Sequence, residues 1–505
     1  MPTSLSIPRA LRRACCAAAA ATSMIVVLAG LALAQTAPSW TEFQGGPAKT
    51  GSAADGPEPG YRQSWSTPFA PGGPGGRFGL STPIVAGGLA VAVGPEQVLG
   101  LDLASGEQVL AVDRELGPSV PAAAEPDGTD TTIVYTEGWG DGPPTRTPTA
   151  AASPTEPGGT STEAGGQSRL AAFDLRTEEA PWPPVRLDGV SRTGVTIADG
   201  IAFVGTDAGE VTAVDLADGS VDWRAEAGAT VGTPLTVADG LVLVGAQGDR
   251  DQQPAVVALD VETGEQRWRH EPAVASAVVS AVSVQGDTAF SIFTGLSEAS
   301  VVAIGMEDGA ERWRRRAGAA FDVAVPPVLG GGSVFVVDLL GHVRALDVAT
   351  GEERWDFALN APVFRSVPTL VGSSLLVPTL EGDLSVIDID SGELVWRRTA
   401  DGSPLRTLVP AGDTLIAVRG GALSGVEAFE HDAEATLVRE ASPTTLAFGR
   451  MLGAMALAAI PILASVILLG RALVPRMGPA FPDEPVVDDD EPVRDPWEED
   501  EGPAS

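Results

Sequence analysis

The residues able to do chemistry are few in this chain and widely spread. Histidine occurs three times, at His270, His342 and His431, with no H-x-x-x-H pair and no His/Cys cluster. That spacing excludes an imidazole metal site of the usual kind. No G-x-S-x-G elbow and no phosphate-cradling Gly-rich loop is present, and with the histidines so dispersed no nucleophilic triad is legible. The only cysteines, Cys15 and Cys16, are adjacent in an apolar N-terminal run. The remainder therefore has neither a thiol nor a disulfide. The lone lysine, Lys49, stands against an otherwise all-arginine set of basic residues, which reads as compositional bias. A formal charge of −35 excludes nucleic acid as a partner, because that needs a basic footprint.

The elements that position these residues come from a repeat. Trp182, Trp223, Trp268, Trp313, Trp355 and Trp396 follow one another at 41, 45, 45, 42 and 41 residues, and the whole chain has only ten Trp. A period near 43 marks a propeller or solenoid array. Each unit has two apolar runs with strand periodicity, then a tight Asp- and Gly-containing turn, then the Trp. In 201–223 the turn is Asp215–Gly219, where Gly219 is able to take positive φ and the Asp side chains are able to bond nearby backbone N–H groups. The Trp then lies on the outermost strand and wedges between neighbouring sheets. These six Trp residues are inter-blade packing elements.

The motif A-x-D-x-x-T-G-x-x-x-W, at 258–268, 345–355 and more loosely at 213–223, resembles the PQQ-type propeller repeat over roughly residues 40–440. That family contains quinoprotein dehydrogenases and a non-enzymatic branch of BamB type. The resemblance implies an all-β, eight-bladed β-propeller, with seven blades the alternative. The column of repeats ends at Leu110, the six Trp residues and Val438. Trp65 precedes Leu110 by 45 residues, so an N-terminal strand at 61–69 is expected to complete the last blade and close the ring. Residues 40–52, WTEFQGGPAKTGS, are similar to the opening segment of such propellers.

A dehydrogenase of this family is implied to hold PQQ and calcium, with an Asp base and adjacent cysteines against the ring. Cys15 and Cys16 sit in the export segment. The only Asn, Asn360, lies in no family ligand motif, and the blades lack the long insertions that build those active sites. The expectation is a non-enzyme, with no cofactor and no metal; PQQ and calcium belong only to the dehydrogenase alternative.

The flanking segments give a topology. Residues 1–34 read as an export signal cleaved after Ala-Leu-Ala, or alternatively as an N-terminal anchor. The propeller domain is assigned to 35–445. Residues 137–168, rich in Pro, Thr, Gly and Ser, form an insertion expected to be disordered. The uncharged run inside 450–471 has the length of a transmembrane helix, and its Arg flanks place the propeller outside the cytoplasm. Residues 472–505 form an acidic tail facing the cytoplasm, a possible site for a cytoplasmic partner. The localisation is then a single-pass membrane protein.

The remaining candidates are loop residues. Three stretches, 137–168, 246–254 and 294–300, fall between the second and third strands of their blades and so share a face. Arg192, Arg365 and Arg406, placed just before innermost strands, ring the channel mouth on that face. With Asp249, Arg250 and Asp251 they are the candidate partner-binding residues, suited to an anionic ligand. The partner expected is an extracytoplasmic protein or cell-envelope ligand.

Overall fold

The computed structural model describes residues 40–435, apart from 70–79, 116, 125–130, 139–166, 250–251, 273–277, 296–298, 319–320, 322–324, 365, 400–403 and 421–423. Among the described residues, thirty-five strands build eight antiparallel sheets in a ring, so the blade count is eight. Blades 1 to 7 follow the chain, at 84–113, 122–186, 195–226, 230–270, 278–316, 328–358 and 369–398. Blade 8 takes its inner three strands from 405–431 and its outermost strand from Tyr61–Pro68. That strand pairs antiparallel with Gly425–His431, from Tyr61↔His431 to Pro68↔Gly425. Trp65 thus occupies the tryptophan column of blade 8. The expected last repeat ending at Val438 is corrected accordingly: the outer strand comes from the N-terminal side, and Val438 lies outside the described residues.

There is no single core. Eight apolar clusters lie one at each blade–blade interface, each drawing on two neighbouring sheets. The middle strands bury both faces, as in Leu241–Gln247 and Ala255–Asp260, so their sequences run continuously apolar where the repeat reading expected alternation. The outermost strands keep one exposed side, as in Val221–Glu226.

Two sets of side-chain bonds tie most blades to the next. On the outside, the Trp Nε1–H donates to a carbonyl in the following blade. Trp65 reaches Leu103 at 2.9 Å, Trp182 Leu216 at 3.0 Å, Trp223 Val261 at 3.0 Å and Trp268 Met306 at 2.7 Å. Trp313 reaches Val348 at 3.1 Å and Trp355 reaches Ile389 at 2.8 Å. Each ring lies against the glycine of that blade's turn, namely Gly106, Gly219, Gly264, Gly309, Gly351 and Gly392 in the same order. Trp396 instead meets Tyr61 edge to face at 5.2 Å, because blade 8 has no such turn. Near the axis, hydroxyls do the same work: Thr196 to Leu235 O, Thr236 to Val282 O, Ser283 to Pro327 O and Thr369 to Leu408 O, at 2.9, 2.6, 2.5 and 2.7 Å.

The turn aspartates behave as expected. Asp174 Oδ1 accepts from the N–H of Thr177 at 2.7 Å and from its hydroxyl at 2.8 Å, and Asp102, Asp260, Asp347 and Asp388 repeat the arrangement. Among the described residues no helix is long and apolar enough to cross a membrane. The assigned spans 1–34, 450–471 and 472–505 lie outside the described residues, as does nearly all of the 137–168 insertion.

Candidate functional site

Strand direction alternates within a blade, so the two faces of the ring differ. One face carries the first-to-second and third-to-fourth connections, and it is made mostly of tight turns such as 87–88, 199–200, 239–240 and 331–332. Exposed carboxylates crowd this turn face, including Asp199, Asp239, Asp413, Glu107, Glu265, Glu352 and Glu393. The other face carries the second-to-third connections and the longer passages between blades, such as 187–194 and 359–368.

The candidate loops fall on that loop face. Gly138 and Ser168 bracket the blade 2 insertion, with Ser168 Oγ donating to Gly138 O at 3.3 Å. Its base is clamped by Arg169, which meets Glu115 at 2.5 Å and Glu137 at 3.3 Å. In blade 4 the connection is 248–254, where Asp249 accepts from Gln252 N–H at 2.9 Å and so shapes its own loop. Residues 294–300 are corrected: Thr294 and Ala299 are paired strand residues, so blade 5 extends its hairpin there by strand pairing, and only 295–298 connects. Arg250, Asp251 and Arg365 lie outside the described residues.

Arg192 stands three residues before the inner strand of blade 3, about half exposed, 3.6 Å from Asp207. That carboxylate already accepts the Val190 N–H at 2.7 Å. Arg406 is not before an inner strand but inside one, at the second position of Leu405–Ala411. Its backbone carbonyl accepts from Val367 of blade 7 at 2.7 Å, and its guanidinium lies over Gly420. Arg192 and Arg406 therefore share a face but belong to blades 3 and 8. The six column tryptophans sit between blades as packing elements.

The feature that the sequence reading missed is on the axis. Residues 40–53 circle the inner strands in blade order. Trp40 exchanges both backbone bonds with Val85 of blade 1, and Thr41 O accepts from Ala123 of blade 2. Glu42 Oε1 accepts from Ile197 N–H of blade 3 at 3.4 Å. Pro47 O, Ala48 O, Thr50 O and Gly51 O then accept from Val237, Val284, Leu329 and Leu370 of blades 4 to 7. Ser52–Ala53 finishes as a short parallel strand against blade 7. These partners lie near the first turns, so the segment fills the axis at the turn-face end. Within it Lys49 Nζ and Glu42 Oε2 form a wholly buried ion pair. Desolvation pushes the carboxyl up and the amine down, each opposed by the other's charge. The signal was present in the sequence: the sole lysine stands in a stretch, at the start of the propeller, that matches no blade.

This arrangement does not fit a quinone with calcium. Glu42 and Lys49 neutralise one another, Asn360 is an exposed turn residue at φ 57°, and among the described residues no group of three or more acidic, His or Cys side chains converges on one point.

A family model described as outer membrane protein assembly factor BamB matches residues 166–341 and 339–458, more than half of the chain. A curated relative, the outer membrane protein assembly factor BamB of Alteromonas naphthalenivorans, is 24% identical over 171 residues, covering 32% of this chain and 40% of that protein. The matched stretch thus spans well under half the length of that relative. Among solved structures, BamB from Moraxella catarrhalis matches at 14% identity, over 73% of this chain and 99% of that one, with a TM-score of 0.50. Quinohemoprotein alcohol dehydrogenase from Comamonas testosteroni matches at 11% identity, over 81% and 82%, with a TM-score of 0.56. At these identities the structural likeness is one of fold, and the fold is shared by assembly factors and dehydrogenases alike. With the family model covering blades 3 to 8 and the ring itself built of eight such blades, the chain belongs to the PQQ-like repeat β-propeller family that includes outer membrane protein assembly factor BamB.

Proposed function

We propose that this protein is a non-enzymatic scaffold or sensor of the cell envelope, held by a single C-terminal span with its propeller outside the cytoplasm, and that it engages a protein or anionic envelope ligand through the loop face. The observation that carries the reading is the asymmetry of the ring: long connections collect on one face, while the opposite face is made of tight, acidic turns. Loops on a rigid frame are where recognition concentrates. The described chain also leaves the propeller at the turn face, since 432–435 follow the end of a third strand and Asp432 N–H bonds Gly60 O. Arg192 and Arg406 supply the positive contacts, and kinship with assembly factors favours a protein partner.

The test is site-specific photocrosslinking in native membranes. Probes on the loop face, at Asp188 and Gln252, are expected to trap one partner, and Arg192→Glu with Arg406→Glu to abolish the adduct without changing the melting temperature. Probes at Glu352 and Asp390 of the turn face are expected to trap none. Adducts confined to the turn face would refute the reading. Stoichiometric uptake of PQQ with calcium by the purified protein would replace it with the dehydrogenase.

A further inference from the structure

The stretch 40–69 touches every blade, and its buried ion pair lies wholly inside it. Its buried cation and that cation's carboxylate partner both belong to the stretch itself, seven residues apart; its other cation, Arg62, is exposed and meets Asp432 at 3.5 Å, a surface pair that contributes little. The wall adds to the pair only the N–H of Ile197. Had the pair been split between the stretch and a blade, withdrawal would strand a buried charge on each side, which is strongly unfavourable. The other axial hydrogen bonds join the backbone of the stretch to the backbone of the inner strands, groups that water satisfies once the axis empties. Beyond the axis the stretch becomes the outer strand of blade 8, where Trp65 and Thr67 reach Leu103 O and Gly106 O of blade 1. Its buried side chains enter only two of the eight inter-blade clusters, Trp40 between blades 8 and 1 and Tyr61 between blades 7 and 8. The buried members of the other six come from the blades alone.

We infer that residues 40–69 form a detachable strap: the segment withdraws with its buried ion pair intact, opening the ring between blades 8 and 1 while the other interfaces hold. The ring is thereby a receptor for its own N-terminal peptide. Withdrawal uncovers two things, the axis at its turn-face end and the backbone edge of Gly425–His431, to which an extended peptide can add as a strand.

Because Lys49 is the only lysine, an amine-reactive ester reports strap withdrawal at a single internal site. In the purified full chain, acylation of Lys49 is followed by peptide mass spectrometry across a urea series, beside global unfolding by Trp fluorescence. Acylation is expected below the unfolding transition with roughly a tenth of the urea dependence of global unfolding, since that slope scales with exposed surface. Glu42→Gln leaves the amine unpaired within the strap. It is expected to raise acylation without urea at least about tenfold while leaving the main fluorescence transition in place. Acylation that tracks global unfolding with the same slope, in the native chain, would overturn the inference and make the segment an integral part of the ring. So would a Glu42→Gln variant in which both transitions fall together.

Discussion

The contact between each column tryptophan and the glycine of the next blade can be weighed by a pair of substitutions inside blade 4. Gly240 and Gly264 both hold positive φ, at 75° and 71°. A Cβ on Gly240 meets nothing within 4 Å, whereas one on Gly264 comes within 2.6 Å of the Trp223 ring. Gly240→Ala therefore carries only the left-handed backbone cost of about 1–2 kcal/mol. Gly264→Ala carries that cost and an overpacking penalty of about 1–3 kcal/mol, because the ring is held by the 3.0 Å bond from its Nε1 to Val261 O. The chain contains its own control. Blade 1 has Leu110 in the column, and the turn of blade 2 that follows it has Glu178 where the others have glycine, still at φ 61° with its N–H on Asp174 O. A side chain is tolerated there when no indole covers it. Accordingly Gly264→Ala in a Trp223→Leu background should cost no more than Gly240→Ala does in the native chain. Urea titration with tryptophan fluorescence and thermal melting of the four variants measures this. Equal midpoints for Gly240→Ala and Gly264→Ala would refute the interlock, as would a Gly264→Ala penalty that survives Trp223→Leu.

Three further outcomes are expected. Lys49→Ala leaves the Glu42 carboxylate buried and alone and should weaken the docking of residues 40–69 by about 3–5 kcal/mol, read by hydrogen exchange of their backbone amides with the main unfolding transition in place, while the double change Lys49→Met with Glu42→Gln should recover most of it. The turn carboxylates set the acid limit. The Arg354 guanidinium, aided by the turn N–H groups, holds Asp347 down at about 2, and Arg312, aided by the Thr288 hydroxyl, holds Asp287 at about 2; Asp260 is lowered by Arg267 and then by its turn bonds, and Asp102, Asp174 and Asp388 by their turn bonds. A carboxyl depressed in the folded state stabilises above its unfolded value near 3.9 and loses that contribution as pH falls toward 2. The melting temperature should therefore drop between about pH 4 and pH 2, and less steeply in Asp347→Asn. Finally, deletion of 139–166 with direct joining of Gly138 to Gln167 should leave the melting temperature equal or slightly higher, because the ends of that connection already lie side by side and a shorter loop closes at lower entropic cost. A large fall in melting temperature would show that the insertion supports the ring.

Much of the fold was legible because a radial repeat writes the same local physics many times. The spacing from Trp182 to Trp396 set the blade size, the D-x-x-T-G turn set where each hairpin closes, and Trp65, one period before Leu110, identified the strand that closes the ring. Counting connections along a blade was enough to put the 138–168 and 248–254 loops on one face. The sequence did not reveal that Thr294 and Ala299 would go on pairing, since whether a hairpin stops or extends depends on what its neighbours bury. Nor did it place Arg406 inside a strand, a shift of register smaller than any pattern of apolar residues resolves.

The amino-acid sequence by itself determined the local units: strands, turns, the Trp column and the family they form. Only the tertiary structure decided the axis. Glu42 and Lys49 stand seven residues apart in a stretch without periodicity, and nothing local says they are buried or paired. Their environment exists only once the inner strands converge and seven of them turn a backbone N–H inward. Convergence of that kind is a property of the closed ring, so the groups that fill its centre acquire their meaning from contacts made across some 300 residues of chain.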